Sequence, residues 1–509
     1  MRYLAVLISI FFVWSCKPDK MDEIIIVNNK STEMHFIGNG VQWSAYHHAD
    51  CDKAEWGHLM TDEKWQMNFE RLDFMKPKIV RVMDQANWRY LKGFTSQGDP
   101  VLDFESPEMH ALYKLLDYCE AGNIEVLLGE WGAPFKVHDL WRIPEYYDKS
   151  RLNYSVWTDM IVKHLDYLVN TKKYTCIRYY NLVNEPNGSW ASTDGNWEQW
   201  SNGIKMLYKK IMDAGLGNQI GIAGPDVVPG KYNSKYNGAD WLIKSVEELD
   251  TFIKCYDVHS YPKKEFIFSG DFHNYYKPLA ERVKSTGKPL IFGELGSDRN
   301  NKDNSDRIKT DSCASEDSQM EVFDFGYGIQ MADACIQAMN IGFGGVIVWD
   351  LDDAMHTLND SGDKTQLKRW GMWNSLGTEL CNNPDDENIR PWFFPWSLIC
   401  RYFLPGSNII PIESGNKMIH LVMAEKDNMY TIAVTNTGKE DYSFVLRADT
   451  CIKTDCVKKY MYTKNKYLTD RKGFPLPVES GITLDLKKGH IIKIEAQSFI
   501  LLTSADLGK

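Results

Sequence analysis

The chain has 509 residues, 43% of them apolar and 25% charged, which excludes a disordered protein and leaves room for a large domain with a smaller one beside it. Its formal charge of −11 excludes a nucleic-acid partner, which needs a basic face, and argues against a strongly polyanionic substrate. The 17 Trp and 26 Tyr are first of all core residues, but their faces are also the surfaces on which the C–H groups of a pyranose stack.

Arg2 and the apolar run over 4–13 read as a targeting segment, too short for a membrane span. The run ends in Val13-Trp14-Ser15-Cys16. A small residue just before a Cys resembles the bacterial lipoprotein signal. That implies a lipid on Cys16 as the first residue of the mature chain, with 1–20 as signal peptide and tether. It also implies a membrane-anchored protein of the bacterial cell envelope, periplasmic or on the outer-membrane surface. The alternative is a plain signal peptide with a chance Cys. Of the 11 Cys, those beyond Cys16 show no metal-ligand spacing. Export permits disulfides; Cys451 and Cys456 are close enough to bridge a local loop, and the others read as small buried apolar residues.

From about residue 35 to 405, apolar runs alternate with helical patterns. Strands are expected at 35–43, 78–83, 124–128, 177–183, 219–223, 256–259, 289–292 and 345–349. Several are unbroken and rich in Val and Ile, as parallel strands buried on both faces are. Between them, Thr61 is placed to cap a helix carrying Trp65, Phe69 and Leu72 on one face, and Pro77 stops it. Ser106-Pro107 is an N-cap followed by proline at the first helical position. Phe325, Ile329, Ala332 and Ile336 repeat the helical spacing, and 390–403 supplies a last helix. Eight such alternations imply an α/β fold, a (β/α)8 TIM barrel over 21–405, with an N-terminal strand near 24–28 that is expected to join the terminal β domain. An open doubly wound sheet is the alternative. After Pro405 the pattern changes to strands at 417–424, 429–436, 442–446, 483–486 and 490–494. That reads as a C-terminal antiparallel β-sandwich domain over 406–509. The polar stretch 297–318 is a lid candidate or a solvated loop.

In a barrel, reactive side chains sit where the strands end. The fourth strand ends in Val183-Asn184-Glu185-Pro186 and the seventh in Phe292-Gly293-Glu294-Leu295. Two carboxylates on one barrel face suit glycoside hydrolysis. One protonates the leaving oxygen; the other attacks the anomeric carbon from the opposite side. Retaining enzymes hold the pair about 5–5.5 Å apart.

Here the sequence resembles clan A of the retaining glycoside hydrolases, which includes families 5, 30 and 39. The resemblance covers roughly 35–405. It implies cleavage of β-linked glycans by double displacement, with Glu185 as acid/base, Glu294 as nucleophile, and no metal or other cofactor. Arg81, in Ile79-Val80-Arg81-Val82, matches the arginine beside the nucleophile. Asn184 matches the residue that bonds the sugar 2-hydroxyl. Asp257-Val258-His259-Ser260-Tyr261 resembles the strand-six motif, in which His259 borders the subsite and the Tyr261 hydroxyl touches the nucleophile. Trp349 resembles the aromatic floor under the reacting sugar. At the end of strand three, where family 5 enzymes usually carry a His, this chain reads Gly129-Glu130-Trp131-Gly132. The terminal β domain and N-terminal strand are more like families 30 and 39.

Specificity is expected from strand-end residues: Gln42, Trp43, His47, His48, Trp88, Trp131, Trp190 and Asp350, with Trp43, Trp131 and Asp350 placed in the substrate-binding set. Asp350, Asp352 and Asp353 are candidates for bonding sugar hydroxyls. His47-His48-Ala49-Asp50 has metal-binding residue types, but the chemistry needs no metal. The expected partners are an oligosaccharide or polysaccharide and, through the anchor, a membrane. A non-catalytic carbohydrate-binding lipoprotein is the reading from another class, and intact carboxylates disfavour it. Transglycosylation uses the same residues with another acceptor.

The anchor has a direct test. The protein should fractionate with membranes, and Cys16→Ser should release it or block its processing. Unchanged membrane association of that variant would count against lipidation.

Overall fold

A computed structural model describes residues 22–26, 31–32, 35–97, 99–133, 154–230, 232, 234–464 and 466–508. Cys16, the signal segment and the last two residues of the expected N-terminal strand lie outside these. Among the described residues no helix is long and apolar enough to cross a membrane.

Eight strands close into a parallel barrel: β1 (Gly40–Gln42), β2 (Ile79–Asp84), β3 (Glu125–Glu130), β4 (Ile177–Asn181), β5 (Gly221–Val227), β6 (Ile253–Ser260), β7 (Leu290–Leu295) and β8 (Gly345–Val348). Each falls on an expected run. Eight longer helices surround them: α1 (Asp62–Met75), α2 (Pro107–Ala121), α3 (Tyr154–Asp166), α4 (Trp197–Asp213), α5 (Gly238–Leu249), α6 (Asp271–Lys284), α7 (Phe325–Ile341) and α8 (Phe393–Tyr402). Local chemistry sets their ends. Thr61 accepts from the Lys64 amide, and α1 stops at Lys76 in the left-handed region. Ser106 accepts from the Met109 amide, with proline at the first position of α2.

The alternation of side chains along each strand builds two layers. Outward residues such as Val80, Val126 and Leu128 pack on the helices in the main core. At the bottom of the barrel, Ile79, Leu127, Ala223, Cys255, Ile291 and Ile347 form a separate apolar plug. Two residues further up the same inward faces stand Arg81, Asp257 and Gly293. The interior therefore turns from apolar to polar within one repeat of the strand, and the polar layer is the site.

After α8 come β9 (Asn408–Ile412), β10 (Ile419–Lys426), β11 (Met429–Asn436), β12 (Tyr442–Ala448), β13 (Lys453–Tyr462), β14 (Glu479–Asp485), β15 (His490–Ile494) and β16 (Ser498–Thr503). Six form one sheet in the order β9-β10-β11-β16-β13-β14. The other two pair with the N-terminal strand Asp22–Ile26, in the order Asp22–Ile26, β12, β15. The N-terminal strand runs parallel to β12. Ile24, Phe444, Val434 and Ile500 lie in the core between the sheets. The six-stranded sheet is apolar on its other face too. Along β16, Ile500 and Leu502 point into the sandwich, while Phe499 and Leu501 join the barrel core.

Polar contacts reinforce this junction. His420 on β10 and Thr435 on β11 both bond Asp333 of α7, the histidine at 2.8 Å. Burial opposes the charge on His420, but Asp333 outweighs it and raises the pKa. The Tyr402 and Tyr460 hydroxyls meet at 2.8 Å.

Two expectations are corrected. Cys313 and Cys381 form a disulfide, whereas Cys451 and Cys456 are free and exposed. The 297–318 stretch is tied down: it holds the helix Lys302–Ile308, the Cys313 end of the disulfide, and buried Ser297, Asn304 and Ser318.

Removing 406–509 would bare the barrel surface now covered by Val422, Ala433, Tyr460, Phe499 and Leu501. An apolar patch of that kind drives association, so the truncated barrel should be insoluble. A soluble, fully active 1–405 protein would contradict this account of the junction.

Candidate active site

Arg81 is the hub. It is fully buried on β2. One terminal nitrogen donates to Glu294 Oε1 at 2.5 Å and to Gln42 Oε1 at 3.1 Å. The other donates to Asn184 Oδ1 at 2.7 Å and to Asp226 Oδ2 at 3.1 Å. Burial works against its charge, but Asp226, Glu294 and Asp257 outweigh it and strengthen its hold on its proton. A guanidinium suits this place because its planar fork serves several oxygens at once.

Glu294 lies near the end of β7. The Tyr261 hydroxyl donates to its Oε2 at 2.5 Å. Burial and the neighbouring Glu294 and Glu185 raise the tyrosine pKa, so the phenol keeps the proton it donates. Glu185 follows β4 at a φ of +48°, a region that costs a non-glycine residue of order 1–3 kcal/mol. Its amide is held by the Asp226 carbonyl at 3.1 Å. Its side chain accepts from His259 Nδ1 at 3.0 Å and from Trp190 Nε1 at 2.8 Å. A carboxylate oxygen of Glu185, a ring nitrogen of His259 and a carboxylate oxygen of Glu294 all lie within 4.8 Å of one another.

His259 spans the carboxylates. Its Nε2 meets Asp226 Oδ1 at 2.9 Å, and its Nδ1 lies 3.5 Å from Glu294 Oε2. Burial disfavours charge on the ring, but Asp226 and Glu294 overcome it and raise the pKa well above the usual value. Carboxylate oxygens face both ring nitrogens, an arrangement that favours an imidazolium donating to each. Asp226 is the residue the sequence reading missed. Burial would raise its pKa, yet Arg81 and His259 pull it below the usual carboxylate range. Beside it, Asp257 is pushed well above that range, by burial first and Asp226 second, and accepts from the Gly293 amide at 2.7 Å. Only glycine fits there, since a Cβ on residue 293 would stand 2.3 Å from Asp257 Oδ1.

A cavity of about 170 Å³ opens beside this cluster, lined in part by Asn184, Trp131, Trp349, Trp190 and His356. Trp349 and Trp131 meet at 5.7 Å. Trp190 is 45% exposed and pairs with Tyr232 at 4.7 Å.

The structure thus brings together Glu185, Glu294, Arg81, Asn184, His259 and Tyr261, with Trp131 and Trp349 on the pocket wall. Other candidates lie elsewhere. Trp43 is correct as an aromatic strand end but not as a pocket residue; it points outward and packs on Trp65, Phe69 and Tyr118. Asp350 is wholly buried and does not line the cavity, and burial raises its pKa well above the usual value. Asp352 accepts from Tyr46 at 2.8 Å and Trp373 at 3.1 Å. Asp353 is ion-paired to Arg369 and Arg390. Gln42 bonds Arg81 rather than the pocket. His47 stacks on Trp88 at 3.9 Å, and His48 bonds Thr357 at 3.2 Å. Glu130, at the strand-three position, turns to Tyr90 and Trp157, and burial pushes it up to about 7.

A family model described as cellulase (glycosyl hydrolase family 5) matches residues 38–352. The match holds despite the departure at the end of strand three. No curated protein matches the chain in sequence. Among solved structures, a conserved exported protein from Bacteroides fragilis superposes with a TM-score of 0.64 at 12% identity, over 94% of this chain and 100% of that one. A family 30 endoxylanase from Clostridium papyrosolvens gives 0.58 at 14% identity, over 95% and 100%. A family 39 β-xylosidase from Caulobacter crescentus gives 0.56 at 12% identity, over 94% and 99%. At these identities they show that the two-part fold is shared.

The pairing of Asp226 with His259 carries a definite pH dependence. His259 is raised, so its contribution to stability is full below about pH 6.5 and is lost as pH rises through its folded pKa. Asp226 is lowered, so its contribution is present above about pH 3.9 and is lost as pH falls through its folded pKa. Asp226→Asn should leave His259 neutral at pH 7, where the wild-type ring is charged. Long-range proton–nitrogen spectra of the ring between pH 5 and 9 read this directly. A ring still charged at pH 7 in the variant would remove Asp226 from this role.

Proposed function

The chain belongs to glycosyl hydrolase family 5 and is a clan A glycosidase, and from that premise we propose that it cleaves β-linked glycans with retention of configuration. The observation that carries the reading is the separation of the carboxylates. A carboxylate oxygen of Glu185 lies within 4.8 Å of one of Glu294. Retaining enzymes hold their pair about 5–5.5 Å apart, and inverting ones about 6.5–9.5 Å, to admit a water.

In this reading Glu294 attacks the anomeric carbon. Arg81 and Tyr261 hold its two oxygens and aim it. Glu185 gives a proton to the leaving oxygen, then takes one from the water that releases the glycosyl group. The Trp190 indole can donate but not accept. A Glu185 hydroxyl at Oε2 can go on accepting from the indole while it donates its proton to the leaving oxygen. In this reading Asn184, fixed by Arg81, bonds the sugar 2-hydroxyl, and Trp349 carries the ring face. The protein acts on an oligosaccharide or polysaccharide at the cell envelope, anchored through a lipid on Cys16.

Glu294→Ala should abolish turnover on every substrate. Glu185→Ala should lose about 100–10,000-fold on poor leaving groups, the usual worth of a positioned acid or base. On activated aryl glycosides it should show a burst followed by slow release. Azide should rescue it and yield a β-glycosyl azide. With Glu294→Ala, azide should enter from the vacated side and yield the α-azide. Proton NMR of the first wild-type product should show the β-anomer. An α-anomer appearing first would mean inversion and a different nucleophile.

A further inference from the structure

A sheet that closes a sandwich has one face in the core and one in water, and its outward side chains are ordinarily polar. The sheet of Asp22–Ile26, β12 and β15 departs from this. Ile25 is 54% exposed and Ile491 53%, the two most exposed large apolar side chains among the described residues. Both point outward, while Ile24, Ile26, Ile492 and Ile494 fill the core. The strand register brings the two together. Half-buried Val445 stands opposite Glu23 on one side and Ile491 on the other, and Ile25 lies one diagonal step from it. Single exposed apolar residues are ordinary, but three in a row across one sheet face make a patch that needs an occupant.

The place of the patch in the chain identifies that occupant. Only residues 17–21 separate Cys16 from Asp22. A chain spans at most about 3.6 Å per residue, so a lipid on Cys16 keeps Asp22 within about 20 Å of a bilayer. The strand nearest the lipid is the strand that carries Ile25. Charge agrees with this. Among the outward residues of the three strands, Arg447 pairs with Glu23, and Lys493 adds a positive charge in a chain whose net charge is −11. Lys488 stands at the rim, 83% exposed, with Asp485 at 3.6 Å. Cations beside apolar side chains suit a phospholipid surface, where the first meet phosphates and the second reach the acyl boundary. A second copy of the chain fits less well. A stable dimer buries about 800 Å² on each partner, and three aliphatic side chains supply only a fraction of that.

We propose that the outer face of this sheet docks on the lipid bilayer, with Ile25, Val445 and Ile491 seated among the headgroups and Arg447 and Lys493 against the phosphates. The inference rests on the anchored reading of Cys16 and adds to it the face by which the protein lies on the membrane. The lipid makes the contact intramolecular in effect, so a patch too small to hold a membrane alone is occupied once the anchor is in place. The other sheet of the sandwich packs on the barrel through Phe499 and Leu501. Docking therefore sets the sandwich between the bilayer and the flank formed by α7 and α8. The open end, with Glu185 and Glu294, is left clear of the membrane for a glycan chain.

The test uses the full chain isolated from membranes and reconstituted in vesicles of phosphatidylethanolamine and phosphatidylglycerol. Mass spectrometry of the N-terminal peptide reads the lipid on Cys16. Cys451 and Cys456, free and exposed, are replaced by Ser. A fluorophore is then attached through Ile491→Cys or, as the control, through Leu468→Cys. Leu468 is 49% exposed, in the segment whose Phe474 stacks on Phe74 of α1. Iodide quenching at 491 should be about threefold weaker than at 468. It should rise to the level of 468 when Ile25→Glu and Lys493→Glu are added, both at exposed positions where folding is not at stake. The protection should persist when the ratio of protein to lipid is lowered tenfold. Equal quenching at 491 and 468 with the lipid present on Cys16 would overturn the docking and leave the anchor standing. Protection that fades on dilution would mean that a second copy covers the face, and would overturn it too. A Cys16 without lipid would defeat the anchored reading itself, and this inference with it.

Discussion

The structure depends on one buried cation. Arg81 stands inside the barrel with no access to water, and an isolated charge there would cost several kcal/mol. Glu294 and Asp226 neutralise it, while Gln42 and Asn184 accept from its two terminal nitrogens as well. Each partner is held in place by that demand. Asp226 in turn charges His259, and His259 reaches Glu185. The two carboxylates are thus fixed relative to each other through Arg81, Asp226 and His259, whose geometry is set by the electrostatics of one guanidinium.

This explains where strain is tolerated. Glu185 and Asp226 both sit at positive φ, +48° and +61°. Each would relax if free. Glu185 is held by the Asp226 carbonyl and Asp226 by two cations, so the network over-determines both. The layer below contributes rigidity. The plug of Ile79, Leu127, Ile291 and Ile347 closes the barrel floor, and each fully buried aliphatic side chain is worth about 1.5–3 kcal/mol. The polar layer rests on a packed base and opens only upward.

The β domain covers the flank of the barrel. Its six-stranded sheet is apolar on both faces, one in the sandwich and one on α7 and α8, so it is in effect the outer layer of the barrel. The aromatic pair Trp190 and Tyr232 stands on the open side, where the barrel meets solvent beside Glu185.

By itself the sequence determined the elements and the acidic pair at the strand ends. Eight short apolar runs mark the strands, several of them rich in Val and Ile, and Glu185 and Glu294 are acidic residues at the ends of two of them. Other elements were hidden by local chemistry. Pro411 masks β9, the charges of Lys453, Asp455, Lys458 and Lys459 mask β13, and β16 shows no alternation because both its faces are buried. The expected fifth strand stops at 223, short of Pro225-Asp226, which left Asp226 out, although it obeys the same strand-end rule as Glu294. Trp43 shows the opposite error: parity along β1 sends Gln42 inward to Arg81 and Trp43 outward into the helical layer. Only the tertiary structure decided that Asp226 bridges Arg81 and His259, that Cys313 meets Cys381, and that Ile25, Val445 and Ile491 share one sheet face. Periodicity records how each residue faces along its own strand or helix. Which residues then meet across the barrel depends on closure and stagger, and these are fixed by all eight strands together.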